Sequence, residues 1–319
     1  MNTSGWLLFA TLITGMMALD LWSGRRSSRA MQLREALLWS LGWVAVAMGF
    51  AGFIAWRLGN NSAFEFLTGY LVEKSLSVDN IFVFLLCFQA FRVPTHLQHR
   101  VLFWGVIGAL AMRLVLILAG ISLLERFHWL HYLFGLFLCY SGWKLLKGNA
   151  GPAEPGELSI IRWTRRLFPV TDDYRGEKFW VREQGVLKLT PLLLVLICVE
   201  ATDLVFAFDS IPAILAITQD PFLVFTSNAL ALLGMRALYF AVQGLLSKLR
   251  YLHQGLAAIL VFVGAKLMLT DYWHVSSGVS LVAILSILAT AVGASLLAPE
   301  REAALEVDWA PQETPEPEL

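Results

Sequence analysis

The chain is poor in charge. Only 15% of its 319 residues are Asp, Glu, Lys or Arg, against about 25% in a soluble domain, which excludes an ordinary soluble enzyme. Neither sign is in excess. Its 24 basic residues meet 24 acidic ones, whereas a nucleic-acid binder needs a basic surplus for the phosphates. Cysteine is scarce too. Cys87, Cys139 and Cys198 each lie in an apolar run, so a disulfide-stapled secreted scaffold is excluded and each thiol reads as a small packing hydrophobe. No Gly-x-x-x-x-Gly-Lys-Ser/Thr run occurs, which argues against direct use of ATP. Met1–Gly5 lacks Lys and Arg, and the basic cluster Arg25, Arg26, Arg29, Arg34 follows the first apolar run. That order predicts a retained first helix rather than a cleaved signal peptide.

What is abundant is apolar surface. Residues of that class make up 57% of the chain, with a mean hydropathy of +0.65, and they gather in runs near 20 residues, long enough for a helix to cross a bilayer. Nine spans are predicted, at about 6–22, 37–56, 66–91, 101–124, 129–147, 190–217, 222–246, 252–270 and 276–298. The expected fold is an all-α polytopic membrane protein with one transmembrane domain over 1–298. Of the 24 Lys and Arg, Lys74, Arg113, Arg236 and Lys266 fall inside spans, and only Arg57 and Arg126 fall in outer loops. The other 18 lie on the opposite side, which by the positive-inside rule puts the N-terminus outside and the C-terminus in the cytoplasm.

Two stretches are not membrane. The cytoplasmic loop 148–189 opens on the linker Gly148–Leu158. There follows a run in which Ile160, Ile161, Trp163, Leu167 and Phe168 alternate with Arg162, Arg165 and Arg166, the pattern of a short interfacial helix. A small hairpin is predicted over Lys178–Arg182 and Val186–Thr190. The tail 299–319 is acidic and rich in proline, which predicts disorder there.

The chain also resembles itself. Glu73-Lys-Ser-Leu-Ser-Val-Asp79-Asn80-Ile81 matches Asp203-Leu-Val-Phe-Ala-Phe-Asp209-Ser210-Ile211. Gly108-Ala-Leu-Ala-Met-Arg113 matches Ala231-Leu-Leu-Gly-Met-Arg236. Trp129-Leu-His131, Gly142 and Lys144 match Tyr251-Leu-His253, Gly264 and Lys266. The order is kept, so 66–147 and 190–270 read as two copies of a three-helix unit. An odd number of spans inserts the second copy from the opposite side, as in inverted-repeat secondary transporters with a midplane substrate site.

Five acids fall inside these spans: Glu73, Asp79, Glu200, Asp203 and Asp209. A charge at the centre of a membrane helix costs about 2.5–3.5 kcal/mol even on the lenient insertion scale, so such residues mark ion paths unless they are merely paired. Lys74, Arg113, Arg236 and Lys266 are the available partners, and the two arginines suit carboxylates best. Asn80, Ser77, Thr202 and Ser210 accompany the acids, with Asn228 as an extra oxygen donor. Carboxylate, amide and hydroxyl oxygens together favour a hard divalent cation, with Mg²⁺, Ca²⁺ and Mn²⁺ all open. Six residues apart, Glu73 and Asp79 should not share a helix face, whereas Glu200 and Asp203 should. Pro212 frees the carbonyl of Phe208, which predicts either an unwound stretch at Asp209–Pro212 or a plain kink.

Glu73-Lys-Ser-Leu-Ser-Val-Asp79-Asn80 and Glu200-Ala-Thr-Asp203-Leu-Val-Phe-Ala-Phe-Asp209-Ser-Ile-Pro212-Ala resemble the two signatures of the TerC family. Thr226-Ser-Asn228 with Leu233-Gly-Met-Arg236-Ala-Leu-Tyr239 is similar as well. The resemblance runs over about 5–298 and is strongest to the branch that holds manganese exporters. It implies an inner-membrane secondary transporter of bacteria that exports Mn²⁺ as substrate. The family's acids fall on Glu73, Asp79, Glu200, Asp203 and Asp209, and together with the oxygen donor Asn80 they are the expected metal site. Protons are the expected exchanged ion, because buried acids can titrate when the metal leaves. Neither a prosthetic group nor enzymatic activity is expected. The alternatives are a different divalent cation, or a membrane scaffold for the assembly or metallation of envelope proteins in which the acids serve structural pairs.

Overall fold

The computed structural model describes residues 3–26, 33–127, 129–147, 159–183, 185–245, 251–269 and 275–297. The linker 148–158 and the tail 299–319 lie outside the described residues. In chain order the helices are α1 (Thr3–Arg26), α2 (Leu33–Leu58), α3 (Asn60–Ala90), α4 (Thr95–Arg126), α5 (Leu130–Leu146) and α6 (Ser159–Leu167). A hairpin of β1 (Trp180–Glu183) and β2 (Val186–Leu189) follows, then α7 (Pro191–Leu215), α8 (Pro221–Leu232), α9 (Met235–Leu245), α10 (Leu252–Met268) and α11 (Ser277–Leu297).

Apolar runs make the helices, and punctuating residues end them. Gly59, at φ +90, separates α2 from α3. Pro94 precedes α4, as proline cannot continue the helix before it. Pro191 and Pro221 stand at the first positions of α7 and α8, where the missing N–H costs nothing. Asp220 caps α8, accepting from the amides of Phe222 at 2.8 Å and Leu223 at 3.3 Å.

Four of the described helices are long and apolar enough to cross a bilayer: α2, α4, α7 and α11. A fifth span results if α8 and the start of α9, bent by 46°, are counted together. Helix α3 is 31 residues long, but Glu73, Lys74 and Asp79 interrupt its apolar run. Val115, Leu136, Val205 and Phe208 are all more than half exposed, a surface suited to lipid rather than water. The molecule is an all-α integral membrane protein apart from its one small hairpin.

Helix α3 is the hub, with α2, α7, α8 and α11 packed around it. Phe9 of α1, Phe50 of α2, Phe66 of α3 and Phe222 of α8 form one aromatic cluster; Phe50 lies 5.3 Å from Phe9 and 5.5 Å from Phe66, centroid to centroid. The closest helix pair is α5 with α10. A Cβ on Gly264 would fall 2.7 Å from the Gly135 carbonyl oxygen, and one on Gly142 would fall 2.7 Å from that of Ala257. Small residues let two membrane helices approach in this way.

Two local expectations change. The helix α7 runs unbroken through Pro212 to Leu215, and the Ala216 amide donates to the Pro212 carbonyl at 3.0 Å. Membrane helices tolerate an internal proline. The break falls instead at Leu233–Gly234, inside the predicted span 222–246. Gly234 has φ +84, and a Cβ there would lie 2.6 Å from the Trp43 ring. Only glycine meets both demands. A short helix and a hairpin do form in the predicted loop: α6 buries Ile161 and exposes Trp163 and Leu167, and β1 pairs antiparallel with β2, the first strand starting two residues later than expected.

Candidate functional site

Helices α3 and α7 place their polar residues by the same rule. Glu73 and Asn80 are seven apart on α3, and Asp203 and Ser210 are seven apart on α7. Seven residues make nearly two full turns, so each pair shares a face. All four side chains are buried, and the two faces meet: the Asn80 amide donates to Asp203 Oδ1 at 3.1 Å.

Arg113 of α4 fills the space between them. Its Nη1 pairs with Glu73 Oε1 and also reaches Ser210 Oγ at 3.3 Å and Asn228 Oδ1 at 3.1 Å. Its Nη2 pairs with Asp203 Oδ1 at 3.1 Å, and its Nε donates to Oδ2 of the same carboxylate at 3.3 Å. The second Asp203 contact makes that pair bidentate, the geometry guanidinium favours. Asn228, on α8, donates in turn to Glu73 Oε2 at 3.4 Å. Four helices thus converge on one guanidinium that is 1% exposed. That one guanidinium serves two carboxyl groups. One acceptor is left over: the buried Asn80 Oδ1 has no hydrogen-bond partner among the described residues. Turning the amide over would set that oxygen against Asp203, so the neighbouring carboxylate fixes its orientation.

The remaining acids stand apart. Asp209 follows Asp203 by six positions, about 240° around the helix, and is half-buried. It accepts from Ser141 of α5 at 2.7 Å. Glu200 shares the Asp203 side of α7 and presses on α4, where a Cβ at Gly108 would overlap its carboxylate. The side chain of Asp79 lies outside the described residues. Among the described residues, no three Asp, Glu, His or Cys side chains gather closely enough to share one metal ion. Of the residues expected to form one metal site, Glu73, Asn80 and Asp203 come together, joined by Asn228, while Glu200 and Asp209 stand off the cluster.

The expected cationic partners divide in the same way. Arg113 takes two acids at once. Lys74 donates to the Ala231 carbonyl at 3.1 Å, in the last turn of α8 just before its break, where an unpaired carbonyl and the negative helix end both favour a cation. Arg236 lines a small cavity with Trp43, Leu102 and Val106. Lys266, half-buried in α10, has Glu65 as an electrostatic neighbour.

Two expected oxygen donors are already engaged. Ser77 donates to the Lys74 carbonyl at 2.8 Å, and Thr202 to the carbonyls of Val199 at 2.8 Å and Cys198 at 3.1 Å. Such back-bonding to the own helix is common for hydroxyls in mid-helix. Ser141 was not foreseen as a partner of Asp209; its only signal was its place beside the repeated Gly142. The sequence also reads Cys87 and Cys198 as isolated thiols. The fold brings their sulfurs to 2.7 Å.

Comparison with known proteins agrees with the fold. Residues 58–303 match the family model described as the integral membrane protein TerC family. The chain is 46% identical over 292 residues to "Uncharacterized membrane protein STKORF319" of Myxococcus xanthus, covering 92% of each chain. It is 45% identical over 302 residues to "Putative membrane-bound redox modulator Alx" of Photorhabdus laumondii, covering 91% of this chain and 94% of that one. The protein of the same name from Escherichia coli K12 is 44% identical over 301 residues, 90% of this chain and 94% of the relative. No solved structure matches. This chain belongs to the TerC family of integral membrane proteins.

Proposed function

We propose that the protein is a secondary transporter that exports Mn²⁺ across the bacterial inner membrane, with Glu73, Asp203, Asn80 and Asn228 as its substrate site. The reading takes nine crossings with the N-terminus outside and the C-terminus in the cytoplasm, and takes 66–147 and 190–270 as inverted copies. One observation carries it: the acid-bearing faces of α3 and α7 meet in the interior and leave the Asn80 carbonyl oxygen without a partner. Carboxylate and amide oxygens are the donors that hard divalent cations select. Arg113 is the internal competitor. When a cation binds the two carboxylates the guanidinium gives way, and when the cation leaves it returns, so the acids are never left uncompensated in a low-dielectric interior. Glu200 and Asp209, on the same helix but off the cluster, are stations on the way in or out. Protons are the counter-substrate in this scheme.

Flux of Mn²⁺ into proteoliposomes holding a manganese-sensitive dye tests the reading. Wild type should transport, and Asp203→Asn, at equal folded protein, should lose at least ten-fold. Equal flux in both would end the assignment of the site. An imposed pH gradient should change the wild-type rate, and indifference to it would leave a uniporter.

The second reading is a membrane-embedded modulator or scaffold for envelope proteins. Its support is the completeness of the Arg113 pairing, which satisfies Glu73 and Asp203 as a structural ion pair would. The name of the relatives, a membrane-bound redox modulator, fits it too. It predicts that Asp203→Asn lowers abundance and complex formation while no form moves Mn²⁺.

A further inference from the structure

Cys87 and Cys198 are a pair of free thiols that the polar cluster does not use. Both are fully buried, and their sulfurs stand 2.7 Å apart, well under 1 Å beyond the bonded S–S distance of about 2.05 Å. Their position is as telling as their separation. Glu73, Asn80 and Cys87 follow one another at seven-residue intervals, so they form a single stripe down α3. That stripe meets α7 twice, at Asp203 through Asn80 and at Cys198 through Cys87. The thiols lie about 10 Å along α3 from Asn80. Val83 and Ile161 complete the buried cluster around them, which sets α6 over the pair.

We propose that Cys87 and Cys198 are a disulfide-forming site that, when oxidised, ties α3 to α7. The oxidant is hydrogen peroxide, small and uncharged enough to cross an apolar layer. One sulfur attacks the O–O bond, which breaks to give a sulfenic acid and one molecule of water. The second sulfur then displaces the sulfenic oxygen as a second water, taking up the remaining thiol proton. Two S–H bonds and one O–O bond are lost, one S–S bond and two O–H bonds form, and the peroxide oxygens take up both electrons. The product is a covalent crosslink between the two helices whose acidic faces form the candidate substrate site. Its effect on transport rests on the transport reading; its formation does not.

The test uses the full chain in lipid vesicles, treated with hydrogen peroxide, then denatured and labelled with a polymer-tagged maleimide. Three thiols should react before oxidation and one after, with dithiothreitol restoring three. Peptide mapping should join the Cys87 and Cys198 peptides and leave Cys139 free. Cys139→Ser should lose two thiols on oxidation as before, and Cys87→Ser should lose the crosslink. Three reactive thiols after a treatment that oxidises the unfolded chain would overturn the proposal, as would a crosslink through Cys139 or between two chains. In flux assays, oxidised wild type should fall at least five-fold and recover with dithiothreitol, while Cys87→Ser ignores peroxide. If the crosslink forms and flux is unchanged, the lock on transport is overturned. If no form transports, the thiol count still decides the pair, and the transport reading alone has failed.

Discussion

In α4 the run Gly108-Ala-Leu-Ala-Met-Arg113 stays helical throughout, whereas its counterpart Ala231-Leu-Leu-Gly-Met-Arg236 is split between α8 and α9. The unbroken copy carries Arg113 into the cluster between α3 and α7. The broken copy brings Arg236 beside Trp43 and Leu102 and presents the Ala231 carbonyl to Lys74. Ala111 in one copy stands where Gly234 stands in the other. Glycine adopts the left-handed backbone at φ +84 and lets Trp43 approach; alanine holds a helix better than any other residue. A repeat in sequence need not be a repeat in backbone, and the divergence gives the two halves different electrostatic duties.

The largest effect should come from removing the arginine of the unbroken copy. Arg113→Ala leaves Glu73 and Asp203 buried against each other, a loss of about 3–5 kcal/mol for a broken buried pair. The variant should accumulate poorly and unfold early in a thermal melt in detergent, and a wild-type melting temperature would show that the cluster is not a stability element. Next comes the hinge of the broken copy. Gly234→Ala demands a left-handed alanine and drives a methyl group into Trp43. The expected cost is about 2–4 kcal/mol, from backbone strain and overpacking together. In a Trp43→Ala background Gly234→Ala should cost less than in wild type, and an equal cost would mean that strain alone is responsible.

Lys74→Met separates the two copies more gently. It keeps the stem and removes the ammonium from the Ala231 carbonyl, at about 1.5–3 kcal/mol for a charge-assisted bond. Hydrogen exchange should quicken in the last turn of α8 and stay unchanged in α4; equal quickening in both would deny Lys74 a local role. The smallest effect belongs to Ala111→Gly, which makes the unbroken copy look like the broken one. A glycine inside a helix costs about 1 kcal/mol, and the neighbours of α4 should hold it straight. A spectroscopic distance across α4 that shortened would show the glycine alone to be sufficient for a break.

Much of the site could be read in advance because desolvation is a property of residue type. Glu73, Asp203 and Arg113 had to find one another wherever the helices packed, since an isolated charge in an apolar interior is too costly to keep. Asn228 was legible as an oxygen donor in an apolar run. The engagement of Ser77 and Thr202 by their own helices was not, as it depends on rotamers that composition does not specify. The same holds for Ser141, whose bond to Asp209 follows from how α5 sits against α7. Pro212 looked the natural place for a break. Proline weakens a helix only as far as its surroundings allow, and here α7 stays whole.

The amino-acid sequence by itself determined that the chain enters a membrane, which helices carry the acids, and which short runs match one another along the chain. These follow from transfer free energies and from spacing, which act residue by residue. Only the tertiary structure decided which acids meet, because six and seven residues differ by about 100° of helix rotation: Asn80 and Ser210 turn inward, and Asp209 turns away to Ser141. It likewise decided that the hinge lies at Gly234 and that two solitary cysteines are neighbours. Both depend on contacts between helices distant in the chain, and no local rule of sequence encodes those.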